Sequence, residues 1–481
     1  MNTIEIQFSP IKCKILTPLS IDMSNLLHAE LSYQMEGFFF SPKYQSHVWD
    51  GYTRLYNKKS QSFKTGLLYR VTDLLTKEGY DVHVKDLHET TSFNQRNFSY
   101  ELRRYQLEAV NDLLKFRFGV LQSPPRSGKT MIILATIDSD RQLPAIILSR
   151  SLDLAYQTRD KASEALQDLK IGIVGDGKCE IGDVTIVTVQ SAYSAYGQKY
   201  KLEKGEKKEK PLDEDKESVK ELLYNTKTVF YDEAHESDGR TSRVILDKCS
   251  NVTMRIGVSA TPFEGEEQDL RVEEAVGPVI HKISYSELIK EGYLLAPLIY
   301  MYKLPKIVVE GNYQSIYKQA VTNNEFLTSL IKKIVDKLVS QNYSVVVQTE
   351  FREHSKRLAQ ILECPCLIGN EPAEKRKDVL DKIRNREYLC VVSTLIEQGI
   401  DLPSLNFTIN LAGGKKKIPT IQRMRSLTPY EGKKVCGVVD FIHQCKYLKK
   451  HSNLRKTFYQ SESEFTLLEK DVSKKSLEEI T

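Results

Sequence analysis

Residues 118–137 read FGVLQSPPRSGKTMIILATI, and this stretch decides the fold. A short apolar run leads into the polar loop SPPRSGKT, and an apolar pattern with helical spacing follows the loop. Strand, loop and helix in this order let the backbone N–H groups of the loop and the helix N-terminus converge on a phosphate group. Lys129 is then placed to contact β- and γ-phosphates, and the Thr130 hydroxyl to hold Mg²⁺. The pattern departs from G-x-x-x-x-G-K-[ST] at one position, because Ser123 stands where the first glycine is usual.

The sequence on both sides of this stretch predicts buried parallel sheets. Short runs of apolar, often β-branched residues recur between helical patterns, as expected for strands that are covered on both faces. In order along the chain these runs are 118–122, 145–148, 184–189, 228–231, 254–258, 344–347, 388–392, 408–411 and 435–439. We therefore expect an α/β protein with two parallel-sheet lobes.

Four regions follow from the same pattern. A small α+β N-terminal domain is expected over residues 1–95, where short β-like runs surround one amphipathic helical stretch. The first α/β lobe is expected over 96–290 and the second over 291–450, followed by a polar C-terminal tail over 451–481. Residues 197–220 balance lysines against acids and are almost free of apolar side chains, which predicts a solvated loop; a loop that faces a nucleic acid is the alternative.

Composition places the chain among ordinary globular proteins. Of its 481 residues 40% are hydrophobic and 28% are charged, which excludes wholesale disorder and fibrous repeats. The eight cysteines are scattered and indicate reduced thiols. No apolar run reaches the roughly 18 residues of a membrane span, and the opening residues, MNTIEIQFSPIKCKIL, lack the layout of a signal peptide. We expect a cytoplasmic protein without membrane contact.

A pair of acids further along the chain favours nucleotide hydrolysis. The segment TVFYDEAH (228–235) is an apolar run that ends in Asp232 and Glu233. In a parallel sheet both carboxylates emerge at the edge where the phosphate loop also opens. Asp232 is expected to carry Mg²⁺ through water, and Glu233 to orient and deprotonate the attacking water. A lone Asp-Glu pair after a strand is usually a helix N-cap, but the upstream loop favours the catalytic interpretation.

The loop and the acids together resemble the superfamily 2 helicases and translocases, in which Asp-Glu-Ala-His follows a GKT loop. Further short strings match the other motifs of that family in order. The resemblance implies two RecA-like motor lobes that use ATP and Mg²⁺. At the nucleotide it places Arg104, Gln106, Ser127, Gly128, Lys129, Thr130, Gly399 and Asp401. In the coupling of hydrolysis to movement it places His235, Ser259, Thr261 and Gln422. On the nucleic-acid backbone it places Ser149, Arg150, Thr188, Gln190, Thr349 and Thr394.

The sixth motif departs from the family pattern. The family shows Q-R-x-G-R-x-x-R, whose later arginines stabilise charge on the transferring phosphate. Here residues 422–429 read QRMRSLTP, and an ungapped match leaves neither of those arginines in place. Deleting one residue brings Arg425 into the finger position. This gapped match makes Arg423 and Arg425 the candidate catalytic cations.

The N-terminal domain narrows the resemblance to phage recombination helicases of the UvsW type. Its segments FFFSPKY (38–44) and VWDGYTRL (48–55) look like the small domain that opens those proteins. Trp49, the single tryptophan, has two interpretations: a half-buried anchor of the domain, or a ring that stacks on an unpaired base or wedges a junction. The basic side chains expected on the DNA backbone beside it are Arg54, Lys58 and Lys59.

Charge is distributed unevenly along the chain. The formal net charge of +5 is too small to indicate a partner by itself. Residues 415–456, however, hold twelve lysines and arginines against two acids. Lys415, Lys416 and Lys417 are expected to contact DNA phosphates, whereas the lysines of 446–456 are equally well a solvated face.

The resemblance implies an ATP-dependent DNA helicase that migrates Holliday junctions, regresses forks and unwinds D-loops and R-loops. Its expected partners are branched or forked DNA and phage recombination proteins, with the enzyme a monomer in the cytoplasm of an infected bacterium. Two alternatives stay open. An RNA-directed helicase of the same superfamily would carry the same motor motifs. A nucleic-acid-binding module with weak or no ATPase would explain Ser123 and the divergent sixth motif.

Overall fold

The structure is a computed structural model that describes residues 3–35, 37–85, 98–197, 215–237, 239–262, 266–368, 373–394, 402–412 and 425–473. The chain divides into two compact units. One comprises Met1–Ser123 and Gly128–Lys282, and the other comprises Pro124–Ser127 and Ile283–Thr481. Within the described ranges, no helix combines the length and the apolar character needed to cross a membrane.

The first unit begins with a small α+β layer. Its four-stranded sheet has the order β5-β2-β1-β6 and consists of β1 (Thr3–Gln7), β2 (Lys12–Ile15), β5 (Ser62–Lys64) and β6 (Asp81–Lys85). Helices α1 (Ile21–Glu30) and α3 (Leu68–Lys77) belong to the same layer. A separate antiparallel ribbon is formed by β3 (Ser32–Gln34) and β4 (Tyr52–Arg54), and the short helix α2 (Pro42–Gln45) lies in the connection between these two strands.

The larger part of the first unit is the predicted α/β lobe. Its eight-stranded sheet has the order β10-β9-β11-β8-β12-β13-β7-β14, and every neighbouring pair is parallel except β9 with β10. The strands are β7 (Phe118–Gln122), β8 (Ala145–Ser149), β9 (Ile171–Gly175), β10 (Lys178–Glu180), β11 (Val184–Thr188), β12 (Thr228–Asp232), β13 (Met254–Ser259) and β14 (Val279–Lys282). The helices are α4 (Arg104–Phe116), α5 (Lys129–Asp140), α6 (Leu152–Ala165), α7 (Val189–Ala195), α8 (Lys216–Asn225), α9 (Arg240–Lys248) and α10 (Glu266–Val276).

The N-terminal layer shares its hydrophobic core with this lobe. The Phe8 ring packs edge-on against Phe118 of β7, with ring centroids 5.4 Å apart. The backbone at Gly66 approaches α10 so closely that a Cβ there would lie 1.9 Å from the Glu273 carbonyl oxygen. Arg70 of α3 pairs with the carboxylate of Glu273. The layer is therefore built onto the first lobe.

The second unit contains the other predicted parallel sheet. Over the described residues it has seven parallel strands in the order β17-β18-β16-β19-β20-β15-β21. They are β15 (Leu298–Lys303), β16 (Val345–Gln348), β17 (Cys366–Leu367), β18 (Cys390–Ser393), β19 (Phe407–Asn410), β20 (Gly437–Ile442) and β21 (Thr466–Asp471). The helices are α11 (Tyr285–Lys290), α12 (Tyr313–Tyr317), α13 (Glu325–Ser340), α14 (Arg352–Ile361), α15 (Ala373–Arg384) and α16 (Leu448–Gln460). The predicted α/β class with two parallel-sheet lobes is confirmed.

The C-terminal segment differs from the polar tail that the sequence predicts over 451–481. As far as residue 473, where the described part ends, it is folded into the second lobe. Phe458 and Tyr459 of α16 are buried, and β21 pairs in parallel with β15 at the edge of the sheet. The sequence of β21, TLLEKD, looks polar because the strand is paired on one side only and no residue in it is fully buried.

Candidate functional site

The loop after β7 has the shape of a phosphate cradle. The Ser123 N–H donates to the Ser259 carbonyl oxygen at 2.9 Å, which ties the start of the loop to the end of β13. Ser123, the residue that replaces the usual glycine, is fully buried there. Gly128 has φ +77°, and a Cβ at this position would lie 2.3 Å from Gln106 Nε2, so the position requires glycine. Because α5 begins at Lys129, the N-terminus of this helix opens at the loop.

Gln106, the predicted adenine-recognition residue, lies beside this loop. It is buried in the first turn of α4, and its Oε1 accepts a hydrogen bond from the Arg103 N–H at 3.0 Å. Its Nε2 faces Gly128. Arg104 is exposed, and its Nε donates to Glu108 at 2.9 Å on the same helix. The structure therefore brings Gln106 to the phosphate loop, whereas the Arg104 side chain lies on the helix surface.

The two predicted catalytic acids lie where β12 ends. Burial and, to a smaller extent, the neighbouring Glu233 carboxylate raise the pKa of Asp232 to about 6, although the charge of Lys129 acts in the opposite direction. Asp232 Oδ1 accepts a hydrogen bond from the Glu233 N–H at 3.1 Å. Glu233 has φ +59°, a left-handed conformation that costs energy for a residue with a side chain and is commonest at functional sites. The carboxylate of Asp232 thus lies in an environment where Lys129 only partly offsets the effects of burial and of Glu233.

A chain of polar contacts joins the acids to the end of β13. His235 Nδ1 lies 3.4 Å from Glu233 Oε2 and 3.1 Å from Ser259 Oγ. Ser259 Oγ accepts a hydrogen bond from the Thr261 N–H at 3.2 Å. The Thr261 hydroxyl is buried and has no hydrogen-bond partner among the described residues. These three residues, predicted separately as coupling residues, therefore form one connected group with Glu233.

The predicted nucleic-acid contacts of the first lobe lie further along the same sheet edge. Ser149 and Thr188 end β8 and β11 and stand opposite each other in register. Ser149 Oγ donates to the Ser151 carbonyl oxygen at 3.1 Å, and Thr188 Oγ1 accepts from the Ser191 N–H at 3.3 Å as the N-cap of α7. Gln190 is buried in the first turn of α7, and Arg150 is half-buried. The two hydroxyls therefore hold the turns at the ends of β8 and β11.

Only part of the predicted site in the second unit lies within the described residues. Thr349 follows β16, is buried, and shares a hydrogen bond with the Ser355 hydroxyl. Thr394 follows β18, and its N–H donates to the Leu367 carbonyl oxygen at 3.2 Å. For Arg425 the backbone alone is described, in a short 3-10 turn, Arg425–Leu427. The predicted residues outside the described ranges are Gly399, Asp401, Lys415, Lys416, Lys417, Gln422 and Arg423.

In its described part, 425–456, the basic segment is not wholly a surface, because Arg455 is buried and Lys433 is partly buried. Lys433 Nζ donates to the carbonyl oxygens of Ser426, Thr428 and Pro403 at 2.6, 2.8 and 3.1 Å, and burial lowers its pKa to about 8. Arg455 is buried and pairs with Asp440 through two hydrogen bonds of 2.7 and 2.8 Å. The sequence pattern predicts neither role. The available signal was Asp440 itself, since an acid inside the apolar run GVVDFI needs a buried partner.

The contacts of Trp49 in the N-terminal layer are those of an anchor. The ring is half-buried, and its Nε1 donates to the Tyr52 carbonyl oxygen at 2.7 Å across the turn into β4. Arg54 pairs with Asp50, and Lys58 Nζ donates to Asn25 Oδ1 at 2.7 Å. Lys59 is exposed. Of the two interpretations of Trp49, the structure favours the anchor.

A nucleotide with its metal ion fits the first-lobe site. The loop turns through Gly128 at a positive φ that favours glycine, and the charged form of Asp232 is only partly compensated by Lys129. No cluster of three or more acidic, histidine or cysteine side chains in the described residues could hold a metal by itself. Mg²⁺ bound through one or two protein oxygens and nucleotide phosphates matches this donor set. Thr130, in the first turn of α5, and Asp232 are the residues that would hold it.

Two family patterns match the chain. The family described as the res subunit of type III restriction enzymes matches residues 99–264, and the helicase conserved C-terminal domain matches residues 325–426. The first range contains the loop, the acids and the Ser259–Thr261 group, and the second contains β16, β18 and β19.

Two curated relatives and one solved structure extend these matches. The chain is 23% identical over 374 residues to the DNA 3'-5' translocase XPB2 of Sulfurisphaera tokodaii, covering 67% of this chain and 77% of that protein. It is 19% identical over 469 residues to the ATP-dependent DNA helicase uvsW of Enterobacteria phage T4, covering 89% and 88%. The structure of the ATP-dependent type ISP restriction-modification enzyme LlaBIII bound to DNA matches with a TM-score of 0.55 and 14% identity, over 84% of this chain and 34% of that one. That structural likeness concerns the fold.

Proposed function

We propose that the chain is an ATP-dependent DNA helicase of superfamily 2, a translocase that remodels branched DNA. The proposed reactions are branch migration of Holliday junctions, regression of forks, and unwinding of D-loops and R-loops, in phage recombination, repair and replication. The observation that carries the proposal is the α+β layer that shares its core with the motor lobe. The alignment with the uvsW helicase covers 89% of this chain. The part left uncovered is shorter than the predicted N-terminal domain, so the alignment includes at least some of that domain.

ATP hydrolysis is proposed to take place at the end of the first-lobe sheet. Lys129 and the N–H groups of the first turn of α5 bind the β- and γ-phosphates. Thr130 and Asp232 would hold Mg²⁺, which would supply positive charge against the phosphates. Glu233 orients a water molecule and takes its proton as the water oxygen bonds to the γ-phosphorus and the bond to ADP breaks.

The coupling of hydrolysis to movement is proposed to start at Glu233. When Glu233 gains and loses a proton, its contact with His235 changes between that of a charged and that of a neutral acid. His235 also contacts Ser259, which holds the Thr261 N–H, so the change reaches the segment after β13. Gln422 of the sixth motif is the coupling residue proposed in the second unit.

Further contributions from the second unit are proposed from the motifs. Arg425 and Arg423 supply positive charge to the transferring phosphate, and Gly399 and Asp401 contact the nucleotide. The residues proposed to contact the DNA backbone in the two units are Ser149, Arg150, Thr188, Gln190, Thr349, Thr394, Lys415, Lys416 and Lys417. In the N-terminal layer Arg54, Lys58 and Lys59 are proposed to contact the backbone beside Trp49.

The test compares ATP turnover and strand separation on a four-way junction, a fork, a linear duplex and an RNA:DNA hybrid, with Lys129→Ala as the inactive control. We expect turnover with every DNA, and fast remodelling of the junction and fork. Strand separation on the linear duplex that is as fast as on the junction and the fork, or faster, would contradict the branched-DNA proposal. Stimulation by RNA but not by DNA would instead favour an RNA-directed helicase, and turnover that persists in Lys129→Ala would mean that the phosphate loop is not the site.

A further inference from the structure

The connection between β3 and β4 carries large apolar side chains on its outside. We call residues 37–51 the apex loop. Phe40 and Val48 are 76% and 77% exposed, and Phe39 is 52% exposed. The Phe39 and Phe40 rings lie against each other, with centroids 4.4 Å apart. Apolar side chains that cluster in the open usually mark a binding surface.

The apex loop is held in a defined shape by its own residues. Gly37 and Gly51 bound it with φ of +72° and +87°. Phe38 turns inward: its ring packs edge-on against Tyr44 at 4.6 Å and so close to Gly51 that a Cβ there would lie 2.8 Å from it. Trp49 closes the loop through its bond to the Tyr52 carbonyl. Because these contacts hold the backbone, the exposed rings of its neighbours are presented in a fixed position.

The ribbon that bears the apex loop is fastened to the motor lobe. Tyr33 of β3 is buried, and its hydroxyl accepts a hydrogen bond from Arg271 Nε at 2.9 Å. The Arg271 guanidinium also lies 5.1 Å from the centre of the Tyr33 ring. Arg271 belongs to α10, the helix that follows the Ser259–Thr261 segment. The ribbon that bears the apex loop is therefore fixed to α10 of the motor lobe.

Charge around the apex loop suits a polyanion. Lys43 is exposed within the loop, and the exposed Lys59 follows β4 by five residues in the sequence. The acid of the loop, Asp50, is neutralised by Arg54. Exposed aromatic rings beside lysines are the arrangement that binds nucleic acid, because bases stack on rings and phosphates pair with cations. A protein partner would meet the same rings but would have no general reason to be anionic.

We propose that Phe39 and Phe40 form the tip of the protein that contacts bases, stacking on the exposed base pair or unpaired bases where a DNA branch opens. This inference rests on the proposed function and names the part of the N-terminal layer that meets the branch. In this proposal Trp49 holds the apex loop in shape, and Phe39 and Phe40 contact the DNA.

The test uses Phe39→Ala/Phe40→Ala, with Ile21→Ala as the matched control because Ile21 is an 80% exposed apolar residue of α1 in the same layer. Base–aromatic stacking contributes roughly 1–3 kcal/mol per base, so we expect strand separation on forks and junctions to slow roughly tenfold or more. ATP turnover stimulated by single-stranded DNA should stay within about twofold of the wild type, since the motor is intact. Phe40→Trp should keep unwinding and Phe40→Leu should lose it, because the role needs a ring.

A second measurement reads the contact directly. Trp49 is the single tryptophan in the chain and lies in the apex loop, so its fluorescence reports on that loop. Adding a fork without ATP should change this fluorescence in the wild type and in Ile21→Ala, and much less in the double variant.

The outcomes separate the inference from the proposed function. Unwinding and fluorescence responses that are unchanged in the double variant overturn the inference while branched-DNA remodelling stands. A double variant that unwinds normally but changes its oligomeric state identifies the tip as a protein contact and also overturns it. A wild type that binds forks through the tip, but remodels none of the branched substrates, contradicts the proposed function and leaves the tip assignment in place.

Discussion

Asp232 in the first lobe and Asp440 in the second are both acids of central parallel strands, yet their surroundings shift their pKa values in opposite directions. Asp440 is fully buried and is held by Arg455, Asn410 and Tyr459, with hydrogen bonds between 2.7 and 3.1 Å. Burial disfavours its charge, but the Arg455 guanidinium overcomes this and holds its pKa below the ordinary value. For Asp232 burial prevails, and its pKa is raised to about 6.

The difference distinguishes Asp440, an acid that stabilises the fold, from Asp232, an acid that is available to bind a ligand. The chain itself supplies Asp440 with a cation and with hydrogen-bond donors, so the carboxylate has little remaining capacity to bind a substrate. Asp232 lies beside another acid, Glu233, and the positive charge of Lys129 only partly compensates for burial and for this neighbour. A buried charge left without compensation costs stability, and such a cost persists where binding or catalysis uses the charge.

The largest expected effect is the loss of ATP turnover in Lys129→Ala. Removing the cation that faces the phosphates should lower kcat by roughly 10³-fold or more, because charge on the transferring phosphate is stabilised mainly by electrostatics. DNA affinity should change less than about threefold, since the proposed backbone contacts lie elsewhere on the sheet edge. Steady-state turnover and fluorescence-anisotropy binding measure the two quantities.

The control for this variant is Lys161→Ala, an exposed lysine of α6. It should leave both turnover and DNA binding unchanged. If Lys129→Ala folds normally and loses DNA affinity as much as turnover, the division between a nucleotide site and a nucleic-acid site is wrong.

The second prediction concerns the acid that serves the fold. Arg455→Met leaves Asp440 buried without its cation, which should lower the free energy of unfolding of the second unit by roughly 3–5 kcal/mol. Urea denaturation followed by circular dichroism measures this loss. Lys456→Met is the matched control, because the adjacent Lys456 makes a more exposed pair with Glu469, and its loss should cost about 1 kcal/mol or less.

Replacing both members of the buried pair sharpens this test. Arg455→Met/Asp440→Leu removes the unpaired charge and should recover much of the stability lost in the single variant. If Arg455→Met costs no more than Lys456→Met, the buried pair does not stabilise the second lobe as argued.

The two acids also show what the sequence could predict. The two parallel-sheet lobes are confirmed, and the glycine-lysine-threonine loop and Asp232 lie at strand ends, because each of these positions depends on a short stretch of sequence. The pairing of Asp440 with Arg455 joins β20 to α16, and no local pattern specifies which cation folds inward. The edge strand β21 and the shared core of the N-terminal layer were missed for the same reason, since both depend on contacts between distant segments.

The third and smallest effect is a gain of stability in Asp232→Asn. The folded-state pKa of about 6 lies above the ordinary 3.8, so the folded protein binds the proton more tightly than the unfolded chain does. Its contribution to stability is fully present below pH 3.8 and is lost as pH rises through 6. At pH 7.5 without nucleotide, asparagine avoids this loss, and Tm should rise by roughly 5 °C. The rise should shrink below pH 6 and vanish below pH 4, as thermal melting across this pH range would show.

Asp440→Asn is the control, and it should shift Tm in the opposite direction at pH 7.5, because that carboxylate is stabilised by Arg455. A non-hydrolysable ATP analogue with Mg²⁺ should then reduce or reverse the advantage of Asp232→Asn, because the wild type keeps the carboxylate that helps to hold the metal and gains more from binding. An advantage that is the same at pH 4 and pH 7.5 would mean that the substitution acts through packing. If Asp232→Asn kept its higher Tm in the presence of the analogue, Asp232 would not contribute to binding the nucleotide and its metal ion.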